Sequence, residues 1–571
     1  MPRTQHRQSS GGLLPLSAFL SFGLCLSVSC ADSASPDGQD NSSDPGVNES
    51  RVSGPIGDIM AAQSHLQAYG YLPSDQLKAE RPGVEFIVDQ PFESGVLDAP
   101  TAEALRSYQQ RFGLPVSGLY DAATRDSMAQ ARCGNPDAEE QGIWREPEHA
   151  GQAQEKFALS WNQLTQGAAS VRVLAYPSGV PSSVVDSDIA TATAEFRRRS
   201  GMNFLPTTET NIPSGTWQVQ ISFYHGNDPK PEQCPNWADE EIKKKKWLAV
   251  TVATPAKSGL AIPTIPICVN MDEPFSFGAG TPNTFRFSTV LTHELGHAAG
   301  LGHSRIAGAV MWPQTDIDEV NTTLQKDDLL GLWSRWGQWA PMANTFQFVD
   351  LAFASDDDLW AVNQAGGIYR RLRSARDQTG SVGGNWTPVD GSATRVSHDG
   401  VRAWIVNADG QGFSRNDQDT GWDLQPGCGR DVAGDAARKL WVIAGCDGGI
   451  YKLVDGQAQY TGRPSGGNAI RVAVSPTVSA LAIVDDAFFI YLNSMSQYAG
   501  YGSDVSFGAD GTLWGVGQMN WPVVFNTQAD PSDRWAAFPG TVVGVTGNSK
   551  GEPTILDSNG RLADIRLWYT N

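Results

Sequence analysis

Residues 293 to 303 read HELGHAAGLGH, and this stretch brings three histidines and one glutamate within reach of a single metal ion. A helix places residues i and i+4 on one face, so His293 and His297 present their imidazoles together. Gly300 can adopt the positive φ of a helix end, and the turn that follows returns His303 toward the same point. Three protein ligands leave one position of a tetrahedral Zn²⁺ open, as in a catalytic zinc site.

Glu294 lies between the first two histidines, beside the open position that a water molecule would fill. Zinc activates such a water and a neighbouring carboxylate accepts its proton, a combination that hydrolyses amide bonds. The alternative is a buried helix with incidental histidines. Only 8 of the 571 residues are histidine, so three of them at these fixed positions argue against that alternative. We further expect Ser288 to be the N-cap of this helix, and four residues to bury its other side: Val290, Leu291, Leu295 and Ala298.

The extended pattern HExxHxxGxxH resembles that of the metzincin metalloproteases. Met311 follows it in AVMWP, which is similar to the methionine turn beneath the zinc site of that clan. Within the clan the chain resembles a matrixin, because Ser304 follows the last histidine and LQKDDLLGLWSRWG, from Leu324, is similar to the closing helix of matrix metalloproteinases. The resemblance implies a zinc-dependent endopeptidase with peptide or protein substrates, and an α+β catalytic domain that we place at residues 158–337.

The segment before the zinc helix predicts the rest of this domain. VRVLAY from Val171 and WQVQISFYH from Trp217 alternate as strands do, and residues 187–204 between them predict a helix. The resemblance also implies that residues after the methionine turn form part of the S1′ pocket, which receives the residue after the cleaved bond. Pro313-Gln314-Thr315 stands where matrixins commonly have Pro-x-Tyr, which leaves the depth of this pocket open.

Residues 56–137 predict a small helical domain from three fragments: MAAQSHLQAYGYL, TAEALRSYQQRFGLP and YDAATRDSMAQA. Their middle part resembles the peptidoglycan-binding-like fold of the matrixin propeptide. The resemblance therefore implies a propeptide here, and an independent cell-wall-binding module is the alternative.

The segment ARCGNPD, residues 131–137, resembles the cysteine switch of matrixin propeptides. Ala131 and Asn135 stand in place of its usual proline and valine. The resemblance implies that Cys133 is the fourth zinc ligand of a latent zymogen, and that Arg132 and Asp137 clamp the segment. The alternative is that the thiol belongs to a disulfide.

Cysteine parity favours the switch. If Cys25 and Cys30 are removed with a signal peptide, or Cys30 is lipidated, five of the seven cysteines remain, and an odd number leaves one thiol unpaired.

Matrixins normally carry a second, structural zinc held by three histidines and an aspartate. His225 and Asp228 match two of these ligands, but Val250 and Cys268 stand where the other histidines are expected.

We therefore expect one zinc per chain, because two remaining ligands cannot complete a structural site. A Cys234–Cys268 disulfide would hold the same loops together in an oxidising compartment. Cys428 and Cys446 would then form a second bridge, leaving Cys133 unpaired. Ca²⁺ stays open as an additional metal, although the sequence shows no identifiable ligands for it.

The N-terminal residues suggest export. Arg3 and Arg7 precede a long uncharged stretch, so residues 1–30 predict a secretory signal and an extracellular, secreted protein. Ser27-Val28-Ser29-Cys30 weakly resembles a bacterial lipobox, which makes a lipid anchor at Cys30 the one alternative route to a membrane. Residues 31–55 predict a disordered tether, and the polar residues 138–157 an activation linker that an activating protease would cut. The net charge of −20 and the pI of about 4.8 argue against nucleic acid as a partner.

Residues 338–571 repeat a strand-pair pattern, as in DLWAVNQAGGIYRR from Asp358 and KLWVIAGCDGGIYK from Lys439. The repeat positions are Trp360, Trp404, Trp441, Ala482, Trp514 and about Thr554. This spacing suits four-stranded blades and predicts an all-β propeller of about six blades, with five or seven left open. The blades resemble the tectonin type, and the hemopexin motif of many matrixins is not recognisable. From the repeats we expect this region to bind a surface ligand, a glycan or a protein, that places the protease.

The sequence thus predicts a multidomain chain and leaves three functions to compare. These are a secreted, latent zinc endopeptidase, a propeller-led binding protein with minor or lost protease activity, and a cell-wall-binding protein led by its N-terminal module. An inactive protease would usually have lost Glu294 or a histidine, and all four residues are present. We therefore favour the endopeptidase.

Overall fold

The computed structural model describes residues 56–80, 84–137, 139–140, 168–200, 202–206, 217–231, 234–238, 246–252, 264–336, 338–342, 346–372, 386–416, 420–477, 479–496, 498–525, 535–538 and 540–566. The predicted signal, lipobox and tether, and most of the activation linker, lie outside these residues. No helix within the described ranges has the length and apolar character needed to cross a membrane.

The N-terminal region is a small helical unit. Its helices are α1 Ile56–Ala68, α2 Asp75–Glu80, α3 Ala99–Arg111 and α4 Ala122–Met128, and its two short strands, β1 Val84–Glu85 and β2 Glu139–Glu140, pair antiparallel. The carboxylates of Asp98 and Asp121 cap α3 and α4 by accepting the backbone N–H groups of Thr101 and Thr124, at 3.0 and 2.9 Å. Buried aromatic and aliphatic residues form its core, including Leu66, Tyr69, Tyr71, Leu105 and Tyr108.

The central region combines a five-stranded sheet, a short parallel pair of strands, β8 and β9, and three helices. Its elements are β3 Ala168–Ala175, α5 Ser182–Arg199, β4 Asn203–Leu205, β5 Trp217–Tyr224, β6 Ala249–Thr251, β7 Thr264–Asn270, β8 Phe275–Ser276, β9 Phe285–Arg286, α6 Phe287–Ala298 and α7 Lys326–Trp336. The sheet has the order β4-β3-β5-β7-β6, with β6 antiparallel at one edge and the other pairs parallel. Helix α6, which carries HELGH, packs against both α5 and the edge strand β6.

Three details differ from the sequence expectations. Helix α5 begins at Ser182, and Asn203 and Phe204 belong to β4 instead of the helix. Ser288 is not the N-cap of α6, because the helix begins at Phe287 with Arg286 as its cap. Helix α2 was not predicted, since six residues are too few to show a helical period.

The C-terminal region consists of short antiparallel strands. They are β10 Gln338–Pro341, β11 Phe348–Phe353, β12 Leu359–Asn363, β13 Ile368–Arg371, β14 Thr387–Val389, β15 Arg395–His398, β16 Arg402–Val406, β17 Gln411–Asn416, β18 Asp423–Asp435, β19 Leu440–Gly445, β20 Ile450–Val454, β21 Gln457–Gly462, β22 Ala469–Val474, β23 Leu481–Asp485, β24 Phe489–Leu492, β25 Tyr498–Phe507, β26 Leu513–Gly517, β27 Pro522–Phe525, β28 Trp535–Ala537, β29 Gly544–Gly547, β30 Pro553–Leu556 and β31 Leu562–Arg566, with a 3₁₀ turn at Gln518–Asn520.

These strands form six four-stranded meanders. The long strands β18 and β25 each serve as the last strand of one meander and the first strand of the next. Each of the six predicted repeat positions lies on the second strand of one meander. The first strands contact one another in the order β11, β15, β18, β22, β25, β29, and β29 contacts β11, so the series closes on itself. Strand β10, which follows α7, completes the last meander by pairing with β31.

Both expected disulfides are present. Cys234 is bonded to Cys268, and Cys428 is bonded to Cys446 across the start of the third meander. Cys133 is a free, buried thiol.

Candidate metal centre

The end of α6 determines where the third histidine lies. Gly300 has φ of 94°, and the backbone N–H groups of Gly300 and Leu301 donate to the carbonyls of His297 and Gly296, both at 2.9 Å. These two hydrogen bonds form a Schellman motif, which ends a helix through a residue in the left-handed conformation. The chain then turns back, and His303 reaches the histidines of the helix from outside it.

Four side chains meet at one point. The ligand atoms of Cys133, His293, His297 and His303 all lie within 4.8 Å of one another, and all four residues are buried. His297 Nε2 is 3.2 Å from His303 Nε2 and 3.3 Å from Cys133 Sγ. The structure therefore brings together all the predicted metal ligands. They include Cys133, which lies 160 residues before His293 in the chain.

The imidazole rings are oriented by their other nitrogens. His293 Nδ1 lies 2.7 Å from the carbonyl of Val310, and His297 Nδ1 lies 2.8 Å from the carbonyl of Leu301. A carbonyl can only accept, so these Nδ1 atoms carry the protons and the Nε2 atoms keep their lone pairs for a metal. His303 Nδ1 is held differently, at 2.7 Å from Asp137 Oδ1.

The site suits Zn²⁺ by several criteria. His293 Nε2 is buried and has no hydrogen-bond partner among the described residues, as expected of an atom aimed at a metal. Burial lowers the pKa of His293 to about 3 and that of His303 to about 4, so both rings are neutral donors. Burial raises the pKa of the Cys133 thiol within the protein matrix, whereas a dication would favour the thiolate. Three imidazole nitrogens and one sulfur make a donor set that zinc prefers.

Glu294 lies beside this cluster and is held by a residue on the edge strand. Thr251 Oγ1 donates to Glu294 Oε2 at 2.5 Å and also lies 3.0 Å from the Glu294 carbonyl. Burial raises the pKa of Glu294 to about 7, and the Thr251 hydroxyl opposes that rise. Sequence inspection missed Thr251, because strand pairing alone brings it to the helix.

Met311 packs against the helix at Gly296. A Cβ added at Gly296 would come within 2.2 Å of Met311 Sδ, so the thioether fills the space that a side chain would need. Asp328 of α7 supports this turn, because its carboxylate accepts the backbone N–H groups of Val310 and Met311 at 2.9 and 3.0 Å.

The segment Ala131–Asp137 occupies a cleft between β6 and the residues after Met311. On the β6 side, Gly134 N donates to Ala249 O at 2.9 Å, and Leu248 N donates to Arg132 O at 3.0 Å. On the opposite side the backbone N–H of Cys133 donates to Pro313 O at 3.0 Å, and that of Thr315 donates to Ala131 O at 3.2 Å. The segment therefore uses peptide groups on both walls of the cleft.

Arg132 and Asp137, the residues predicted to clamp the segment, form a buried ion pair. Arg132 Nη2 is 2.8 Å from Asp137 Oδ1, both side chains are fully buried, and the guanidinium lies 3.5 Å from the centre of the Tyr69 ring. Burial would raise the pKa of Asp137, but Arg132 and Arg111 hold that pKa well below its usual range. The same carboxylate accepts from Tyr71 Oη at 3.0 Å, so the clamp also fixes the segment to the helical unit.

Asn135, at a position where the sequence departs from the matrixin pattern, contacts the thiol directly. Its backbone N–H and its Nδ2 both donate to Cys133 Sγ at 3.3 Å. Two donors on sulfur favour the anionic form that binds metal. A valine at this position would supply only the backbone donor.

The residues that the sequence aligns with the ligands of the family's structural zinc make other contacts. His225 Nδ1 lies 3.1 Å from Asp272 Oδ1, and the Asp228 carboxylate accepts the His225 backbone N–H at 2.8 Å. Cys268, at the position of a missing histidine, is bonded to Cys234.

Two family models match the chain: residues 160–337 match Matrixin, and residues 57–128 match a putative peptidoglycan binding domain. Matrix metalloproteinase-19 of Homo sapiens is 28% identical over 242 residues, which are 42% of this chain and 41% of that protein. Matrilysin of Homo sapiens is 25% identical over 251 residues, 43% of this chain and 81% of that protein. Interstitial collagenase of Equus caballus is 28% identical over 297 residues, 51% of each.

This chain thus spans less than half of the length of human matrix metalloproteinase-19. A solved structure titled "YCF48 bound to D1 peptide" aligns with a TM-score of 0.28 and 13% identity over 40% of this chain and 79% of that chain, which is too distant to support an argument. The matrixin family uses zinc, and the Cys133 and histidine cluster lies where that metal would bind. The chain therefore carries a matrixin domain at residues 160–337, behind a helical domain of the peptidoglycan-binding type.

Proposed function

We propose that this chain is the latent form of a secreted zinc endopeptidase. The observation that carries the proposal is the convergence of three histidines and the Cys133 thiol at one buried point, with Glu294 adjacent. His293, His297 and His303 would hold the metal throughout, and Cys133 only in the latent form. A bound Zn²⁺ would lower the pKa of a water molecule and polarise the scissile carbonyl.

Glu294 is the group of this chain that moves protons. Its carboxylate accepts a proton from the attacking water and passes it to the leaving amine. The peptide groups of Leu248, Ala249, Pro313 and Thr315 become available once Ala131–Asp137 leaves, and they can align an extended substrate between the two walls. Cleavage within the linker region, residues 138–157, is the expected trigger.

Latency gives the direct test. Full-length protein should hydrolyse a fluorogenic peptide at a rate at least about tenfold lower than protein trimmed in the linker, because Cys133 closes the open ligand position. Cys133→Ala should raise the rate of the uncut chain.

Glu294→Ala should keep its zinc, measured by elemental analysis, and lose nearly all turnover of the trimmed form. Equal activity of intact and trimmed protein would contradict the latency, and a fully active Glu294→Ala would contradict the mechanism.

The C-terminal strands support a second part of the proposal, a six-bladed β-propeller that places the protease on a surface. Six meanders, the closed series of first strands and the closing strand β10 all suit that architecture. Exposed aromatic side chains on its outer parts, such as Tyr460, Phe488 and Tyr501, suit a glycan or protein ligand. A glycan array probed with the full chain tests this role.

The two other functions have less support. Wall-binding by the helical unit competes with its packing on the cleft, where the rings of Phe112 and Trp312 meet at 5.2 Å and Arg111 Nη2 donates to His303 O at 2.8 Å. A binding protein with lost catalysis would not need Glu294 beside the metal cluster, or the hydrogen bond from Thr251 that holds its carboxylate. The two disulfides suit an oxidising, extracellular location.

A further inference from the structure

Asn135 holds the Cys133 sulfur from within the segment that fills the cleft. Its backbone N–H and its side-chain Nδ2 each lie 3.3 Å from Sγ. Asn135 is 0% exposed, so water cannot take the place of either donor. Any residue other than proline would supply the backbone N–H, whereas the second donor depends on the amide side chain. The matrixin pattern has valine here, so this second donor is a departure made by this chain.

The backbone around Asn135 is fixed on the wall of the cleft. Gly134 N donates to Ala249 O at 2.9 Å. A Cβ added at Gly134 would lie 2.9 Å from the Trp247 ring, so the two surfaces are in close contact there. Pro136 follows Asn135 and restricts it to extended conformations. The amide therefore has little freedom to turn away from the sulfur while the segment stays in the cleft.

The sulfur also has an anionic neighbour. The Glu294 carboxylate interacts directly with the Cys133 thiol. A sulfur that binds a metal as thiolate has no proton to donate, so two negative charges would then lie side by side and repel. The two N–H groups of Asn135 oppose this repulsion, because hydrogen-bond donors stabilise negative charge on their acceptor.

We propose that Asn135 is a positioning residue of the latency switch, whose side-chain amide holds the Cys133 sulfur in the ligand position and keeps the intact chain closed. The proposal rests on the latent endopeptidase function above and names a residue that sets how rarely the switch opens. Opening takes Cys133 and Asn135 out of the cleft together, and water then competes for the same donor. The hydrogen bond is therefore stronger in the closed form and favours it.

The first measurement is the rate at which iodoacetamide alkylates Cys133 in the intact, zinc-loaded full chain, with the labelled residue identified by peptide mass. The buried sulfur meets the reagent only when the switch opens, so this rate reports the open fraction. Asn135→Val should be alkylated at least about tenfold faster than wild type, the size expected for a hydrogen bond to a charged acceptor. Asn135→Asp keeps the shape of the side chain but loses the donor, and it should also be alkylated faster.

A matched control removes a hydrogen bond of the same interface without touching the sulfur. Tyr69 Oη accepts from Trp247 Nε1 at 2.6 Å, and Tyr69→Phe deletes this bond. Each intact protein is loaded with Co²⁺ in place of zinc, and the sulfur-to-metal charge-transfer band is recorded. The band should move to lower energy in Asn135→Val, because a donor that stabilised the sulfur electrons is gone. It should keep its position in Tyr69→Phe.

Trimming in the linker supplies the control for folding. Residue 135 leaves with the helical unit, so trimmed wild type and trimmed Asn135→Val have the same sequence and should have equal kcat/KM. An unchanged alkylation rate in Asn135→Val, an unmoved band, or an equal shift in Tyr69→Phe would overturn the role of Asn135 while the latency stands. Equal activity of intact and trimmed wild type would overturn the latency itself.

Discussion

Thr251 shows how much a single hydroxyl contributes to the proposed catalytic group. It donates to Glu294 Oε2 at 2.5 Å from β6, and Thr251 is 1% exposed, so water cannot replace the bond. Removing the hydroxyl would leave a buried carboxylate less fixed in position, and changes to such supporting partners typically cost about 10- to 100-fold in activity. Thr251 is therefore a positioning residue.

We predict that Thr251→Val lowers kcat of the trimmed protein by about tenfold with little change in KM, because the side-chain volume is nearly kept. Thr251→Ser should restore most of the rate, since it restores the donor. Zinc content should be the same in all three proteins. A Val variant as active as wild type would show that Glu294 needs no such support.

One equivalent position on the first strands of the six meanders carries charges of alternating sign in five meanders and a glycine in the sixth. The series is Asp350, Arg395, Asp431, Arg471, Asp504 and Gly544. Two of the carboxylates bond the next meander, where Val396 N donates to Asp350 at 2.7 Å and Val472 N donates to Asp431 at 3.0 Å. These two hydrogen bonds therefore join neighbouring meanders.

Burial raises the pKa of Asp504 to about 7, although Arg471, at 3.1 Å, opposes the rise. The folded chain then holds a proton that the unfolded chain, with an ordinary aspartate pKa near 4, has released. Its contribution to stability is present below about pH 4 and is lost as the pH rises to about 7. We predict that, between about pH 5 and pH 7.5, the unfolding free energy falls by about 2.5 kcal/mol more in wild type than in Asp504→Asn, and that the melting temperature of wild type falls further accordingly. Parallel pH profiles by calorimetry would contradict this.

At the scale of elements, the local sequence pattern predicted the existence of α6 and its metal-facing side, but not the residue at which the helix begins. HELGH and the glycine after it determine the zinc face and the turn, because both follow from helix geometry. The start of α6 depends instead on Phe287, which packs on Phe223 and Phe277 with ring centroids 5.1 Å apart in each case. Those contacts join distant segments, so the capping preference of Ser288 carried no information about them.

The same distinction separates the site residues that were predicted from those that were not. Cys133, Arg132 and the histidines lie in motifs whose spacing is visible in the chain. The contact between Asp137 and His303 joins residues 166 positions apart, and that between Thr251 and Glu294 joins residues 43 apart. Pairings of this kind depend on the sheet order and on the docking of the helical unit, which no local pattern encodes.

The Cys234–Cys268 disulfide gives a prediction about the loops that a structural zinc normally holds together in matrixins. It connects the loop before β6 to β7 and closes 34 residues of chain. Removing it by a Cys234→Ser, Cys268→Ser double substitution should lower the unfolding free energy by about 3 to 4 kcal/mol on the chain-entropy model. The wild type should bind one zinc per chain by elemental analysis. Two zincs per chain, or unchanged stability of the double variant, would contradict the exchange of metal for disulfide.

At the scale of the whole molecule, the matrixin domain and the C-terminal meanders are joined through two successive elements. Helix α7 closes the domain, and β10 begins two residues later and pairs with β31, the last strand described. Lys326 of α7 also forms an ion pair with Asp510 at 2.7 Å. The chain therefore enters and leaves the C-terminal region in the same meander.

This closure predicts that the strand directly after the protease is needed by the region that follows. A fragment of residues 338–571 should fold alone, because it contains all four strands of the last meander. A fragment of residues 346–571 lacks β10, which leaves β31 as an unpaired edge and the last meander one strand short. We expect the shorter fragment to unfold at a temperature lower by at least about 5 °C, or to aggregate, in circular dichroism and light-scattering measurements. If both fragments are equally stable and monomeric, β10 is a linker segment, and the closed arrangement depends only on contacts between the first strands.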